Sequence, residues 1–124
     1  KNKLFFLDFE YFGWDDPVKL TADFIWHPSH SLRKNLQQIW EVNMINIFSD
    51  DKDFKNRLNA SMPLYGIRWI LIILNEFLPN YADRRKRAAN RKSNSKEIAQ
   101  NIQLLKAYKY FDVVKNLYSL NSEN

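Results

Sequence analysis

The stretch Phe6-Leu7-Asp8-Phe9-Glu10-Tyr11-Phe12-Gly13-Trp14-Asp15-Asp16-Pro17 decides how this chain is read. Residues 3 to 9 form a short, Phe-rich apolar run, the pattern of a strand buried on both faces. Gly13 marks a loop. Asp16-Pro17 then opens a helix: Asp accepts backbone N–H bonds at an N-cap, and Pro at the first helical position forfeits no helical bond. Asp8 therefore stands at the open end of a strand. A carboxylate so placed suits a hard divalent cation, which takes oxygen ligands and keeps several waters. It equally suits a hydrogen bond to backbone amides of the following turn. The residues alone leave both roles open.

Working outward, the remainder reads as helices. The one opened by Pro17 runs to about Trp26 and ends at His27-Pro28. Ser31 is a second N-cap, after which Leu32, Leu36, Ile39, Trp40, Met44 and Ile47 recur at helical spacing to about Phe48. Asp50 or Asp51 starts a third helix, with Phe54, Leu58 and Met62 on one face. Pro63 takes the first position of a fourth, over residues 64 to 78, which Pro79-Asn80 stops. Residues 80 to 95 are polar and basic and predict an exposed loop. A last helix begins near Ser95, with Ile98, Ile102, Leu105, Tyr108, Phe111, Val114 and Leu117 as its inner face. Residues 121 to 124 predict a frayed tail. The fold class is mainly α, one strand and about five helices, in a single domain spanning residues 1 to 124.

Composition supports this. A hydrophobic share of 45% and an aromatic share of 15% are ample for a core. Two glycines and four prolines argue against an all-β design. With no cysteine, a disulfide framework and a thiolate metal site are excluded, and a reducing cytoplasm is the expected compartment. The most apolar stretch, Ile67 to Leu78, is too short and interrupted for a membrane span, which needs about 20 apolar residues. The chain starts at Lys1 inside an apolar run, which predicts that a part of the protein lies upstream.

Asp8-Phe9-Glu10 resembles the metal-binding Asp-Phe-Gly segment of protein kinases, in the form used by aminoglycoside phosphotransferases and choline kinase-like enzymes. Tyr11-Phe12-Gly13-Trp14-Asp15-Asp16-Pro17, and the distant Arg68-Trp69-Ile70-Leu71 and Asn75-Glu76-Phe77-Leu78-Pro79, are similar to a bacterial subgroup of that superfamily. The likeness covers Leu4 to about Arg87, and less clearly to Leu117. It implies the helical C-terminal subdomain of a protein kinase-like fold, with one short N-terminal strand or hairpin remnant. It also implies that Asp8 binds Mg²⁺ at the phosphates of ATP, and that a small hydroxyl-bearing molecule is the acceptor. Glu10 either joins Asp8 at the metal or bonds a nearby loop.

Other parts that the resemblance requires are missing from the 124 residues. There is no H-x-D-x-x-x-x-N catalytic loop, no Gly-rich loop and no nucleotide-binding Lys on an N-terminal sheet. The expectation is a C-lobe portion that is inactive alone and whose partner is the missing N-terminal lobe with its catalytic loop. Apolar surface uncovered around residues 4 to 12 would then be available for pairing two copies. Relatives also read Asp-Pro-x-x-Asp after the metal segment, the later Asp bracing the catalytic loop. Here Leu20 occupies that position, with Asp23 three residues further on.

The net charge of +5 is local. Residues 83 to 97 hold seven Lys or Arg and two acids, which leaves twelve of each sign elsewhere. Arg84, Arg85, Lys86, Arg87, Arg91 and Lys92 therefore form either a solvated loop or a contact surface for nucleic acid or an acidic partner. The second option defines an alternative function, a helical interaction module. His27 and His30, three apart across a Pro-Ser turn, read as loop or cap residues rather than a metal pair. Trp14, Trp26, Trp40 and Trp69 read as core.

Overall fold

The computed structural model describes Lys3 and residues 13–29, 32–79 and 95–122. These residues are mainly helical. Helix α1 spans Pro17–Trp26, α2 Lys34–Ile47, α3 Phe54–Leu74 and α4 Ser95–Ser122, with a 3-10 turn at Asn75–Phe77 after α3. The expected strand over residues 3 to 9 and the expected basic loop fall, but for Lys3 and the start of α4, outside the described residues.

Helix α1 forms as its first residues dictate. The Asp16 side chain accepts the Val18 N–H at 2.9 Å and Pro17 occupies the first turn. His27 closes the helix in an extended conformation, as the residue before a proline prefers. Its inner face carries Val18, Thr21, Ala22 and Trp26, all buried. Thr21 is tolerated in this apolar face because its hydroxyl donates to the Pro17 carbonyl at 2.8 Å.

Pro63 does not begin a new helix. Helix α3 runs unbroken through it for 21 residues. An interior proline lacks a donor and crowds the preceding turn. Here packing offsets that: Pro63 is buried, and the Trp26 indole N–H donates to the neighbouring Met62 carbonyl at 3.0 Å. The start of α3 is also later than Asp50 or Asp51. Asp51 instead shapes the turn before it, its carboxylate accepting the Asp53 N–H at 3.1 Å and its carbonyl the Phe54 N–H at 3.0 Å.

The core is built where α1, α3 and α4 meet. Val18, Ala22, Trp26, Phe54, Leu58 and Val114 form its buried centre with Met44 of α2. Gly66 lets α4 approach closely. A Cβ there would lie 2.4 Å from Val114 Cγ2 and 2.7 Å from the Trp26 ring. Gln100 Nε2 donates to the Glu76 carbonyl at 3.4 Å, so α4 runs antiparallel to α3. Helix α2 is held to α1 by Trp40, whose indole donates to the Thr21 carbonyl at 3.2 Å and whose ring lies 4.2 Å from that of Phe24.

Two expected inner faces need correction. On α4, Val114 is buried and Leu117 half-buried, but Ile98, Ile102, Leu105, Tyr108 and Phe111 are exposed. A row spaced by three residues drifts about 60° per step around a helix of 3.6 residues per turn, so it cannot stay on one side. The face actually turned inward is Gln103, Ala107, Tyr110, Val114 and Leu117. On α2, Leu36, Ile39 and Ile47 are exposed, while Trp40, Met44, Ile45 and Phe48 meet the core. Helix α4 also persists through Ser122, into the tail expected to fray.

Candidate functional site

The described part of the deciding stretch begins at Gly13, and three carboxylates then follow within or beside α1. Asp15 accepts the Asp16 N–H at 2.8 Å and pairs with Lys19 one turn on. Asp16 has two tasks: one oxygen caps α1, and the other pairs with Arg57 of α3. Arg57 extends its second nitrogen to Asp51. One guanidinium thus ties the start of α1 to the turn before α3. Such charge-assisted bonds are short and directional, although their exposure limits what they add to stability.

Further along α1, Asp23 receives two bonds through one oxygen. Arg68 Nη1 donates to it, and so does Trp69 Nε1 at 2.9 Å. The Arg68 guanidinium also lies 5.8 Å from the centre of the Trp69 ring, whose other neighbour is His27 at 4.9 Å, edge-on. The result is a polar bracket between α1 and α3. It joins α1 to α3 through residues 45 apart in the chain.

The electrostatics follow from these contacts. The side-chain bond from Lys19 holds Asp15 below the usual carboxylate range, and that from Arg57 does the same for Asp51. Asp51 and Asp16 in turn raise the Arg57 guanidinium. Burial pushes the Tyr65 phenol up, with Asp23, Asp16 and Asp15 adding to the effect. A carboxylate depressed on folding stabilises the fold fully above its unfolded value of about 3.9, and loses that contribution as pH falls through its folded value. Denaturation midpoints are therefore expected to drop at pH below about 4. In Arg57→Ala the drop between neutral and acid pH should be smaller. An equal drop would show that the Asp51 pair contributes nothing.

Asp23 makes a sharper test. Asp23→Ala leaves the half-buried Trp69 N–H without its acceptor, a loss of about 1–3 kcal/mol. Urea unfolding should register it, and Asp23→Asn should recover part of it, because an amide oxygen still accepts from the indole.

The expected site residues Asp8 and Glu10 lie outside the described residues, as do Arg84, Arg85, Lys86, Arg87, Arg91 and Lys92. Among the described residues, no group of three or more His, Asp or Glu is placed to hold a metal ion. His27 is the C-cap of α1, its Nδ1 accepting the Ser29 N–H at 3.2 Å; His30 is not among the described residues. Trp26 is buried, and Trp40 and Trp69 pack against the core, whereas Trp14 is fully exposed. Leu20 is also exposed, and Asp23 is the α1 acid that reaches a second element beyond the first turn. The two brackets have no local signature, since an ion pair between residues 41 apart leaves no periodicity in the chain.

Among the described residues, no helix is long and apolar enough to cross a membrane. Comparison with known proteins finds no family model, no curated relative and no solved structure that matches the chain. What is defined is a mainly helical body with an acidic entry to its first helix.

Proposed function

We propose that this chain is the C-terminal, substrate-side portion of an ATP-dependent small-molecule phosphotransferase of the aminoglycoside-phosphotransferase type. The observation that supports this reading most is the Asp23 bracket. It fixes the helix that follows the metal-binding-like segment onto Arg68-Trp69, the start of the second matching block. One stretch that resembles the family thus opens α1, and the start of the other lies on α3, the helix to which α1 is bonded.

In this reading Asp8, with Glu10 as the second candidate, would hold Mg²⁺; carboxylate oxygens are the donors that ion prefers. When bound, the ion supplies positive charge where negative charge builds up during phosphoryl transfer. The chain's own contribution is an anchored helix directly after that segment, secured by the Asp16 cap and the Arg57 pair. A sugar, aminoglycoside or amino alcohol is the acceptor class. The base, the Gly-rich loop and the phosphate-holding Lys come from the missing lobe.

Two results follow. The purified chain of 124 residues should show no ATP-dependent phosphorylation of any acceptor, because positioning and charge stabilisation both need the other lobe. The reading frame upstream of Lys1 should encode H-x-D-x-x-x-x-N shortly before it. A frame that opens at Lys1, or continues upstream without that motif, would overturn the proposal. The basic run would then be the feature to pursue, through binding to polyanions that weakens steeply with salt.

A further inference from the structure

Among the described residues, α3 and α4 leave a broad apolar surface uncovered on the side opposite α1. Along α3 the uncovered residues are Ala60, Leu64, Ile67 and Leu71. Spacings of four, three and four keep them in one straight stripe, the arrangement of a helix–helix seam. Leu64 and Leu71 are 66% and 62% exposed and Ile67 44%.

The stripe continues onto α4. The flank of α4 that faces α1 is marked by two contacts: Tyr110 lies 5.6 Å from the Trp26 ring, and Lys106 Nζ donates to the Pro28 carbonyl at 3.2 Å. At about 100° per residue, the opposite flank carries Leu104, Tyr108, Phe111 and Tyr118, which are 36%, 62%, 48% and 68% exposed. Since α4 is antiparallel to α3 and Val114 meets Gly66, this flank borders the α3 stripe. Taking about 190 Å² as the full area of such side chains, the seven large residues leave roughly 700 Å² uncovered. That approaches the ~800 Å² per partner of a stable interface and exceeds the ~300–600 Å² of the largest patch on a typical monomer.

We infer that this α3–α4 face is a homodimer interface, two copies packing face to face about a two-fold axis with their α3 helices antiparallel. A two-fold contact needs a patch complementary to itself. The α3 stripe is one: an axis midway between Leu64 and Ile67 sets Leu64 against Ile67 of the partner subunit, and Ala60 against Leu71 of the partner subunit. The small residue thus meets the large one at both ends. The charges that border the seam do not oppose pairing, although the chain carries a net +5. Arg57 is bonded to Asp16 and Asp51, Arg68 to Asp23, and Lys115 to Asp112. The seam is therefore apolar at its centre and polar at its rim, where each of these cations is matched by a carboxylate.

The test is the oligomeric state of the 124-residue chain. Light scattering on the eluting protein at about 100 µM should give about twice 14.9 kDa, and a micromolar Kd is enough to show it. Leu64→Glu with Leu71→Glu should weaken dimerisation at least about 100-fold and shift the mass towards that of the monomer, with helical circular dichroism unchanged. Ile39→Glu on α2, similarly exposed but off the seam, should remain dimeric. The chain has no cysteine, so register can be read directly: mixed Leu64→Cys and Ile67→Cys chains should form a disulfide-linked pair faster than either alone. A wild-type monomer at this concentration would overturn the inference. So would a dimer that survives the double glutamate variant, or one that Ile39→Glu dissociates.

Discussion

Gly66→Ala is expected to destabilise the helical body by about 2 kcal/mol, against the usual preference for alanine in a helix. That preference would gain about 1 kcal/mol. The added methyl, however, would meet Val114 Cγ2 at 2.4 Å and two Trp26 ring atoms at 2.7 and 2.9 Å. Neither neighbour yields easily. Valine is stiff at its Cβ, and the Trp26 ring is held by its bond to the Met62 carbonyl. Overpacking of this kind costs about 3 kcal/mol, at the upper end for a well-packed core, and outweighs the helix gain. The transition temperature should fall by roughly 8 °C for a chain of this size. Val114→Ala in the Gly66→Ala background removes the closest contact and should recover part of the loss. A Gly66→Ala protein that melts higher than wild type would show that α4 is not seated against Gly66.

Much of this packing is legible in the sequence, and what is not has identifiable physics. Asp16-Pro17 and His27-Pro28 bound α1 to the residue, because capping and proline stereochemistry act locally. Pro63 misleads because its local rule is overridden by tertiary contacts of Trp26. The inner face of α4 is hidden because its large apolar residues follow a three-residue row, whereas the buried positions include Ala107 and the half-buried Gln103. Small and polar residues there admit the close approach that Gly66 permits, and a search for large apolar residues passes over them. The excess of large apolar residues on the outside is the same fact seen from solvent. Of the candidate site, the acidic entry to α1 is legible and its anchors on α3 are not. Arg57, Arg68 and Trp69 look like ordinary helix residues until the fold brings them to Asp16 and Asp23.

The proposed phosphotransferase role rests on one carboxylate. Asp8→Asn preserves side-chain shape but removes the charge that would hold Mg²⁺. Metal charge at a reacting phosphoryl group is worth several kcal/mol, and about 4 kcal/mol corresponds to a 10³-fold change in rate. The helices should stay intact, because α1 is held to α3 through Asp16 with Arg57 and through Asp23 with Arg68 and Trp69. The most direct measurement is Mg²⁺-dependent phosphoryl transfer from ATP by a polypeptide that joins this chain to the proposed catalytic lobe, compared with its Asp8→Asn variant. Under the phosphotransferase proposal, transfer is expected with the natural residue and a loss of about 10³-fold in kcat with the variant, at unchanged helical content. Equal rates from the two proteins would contradict it.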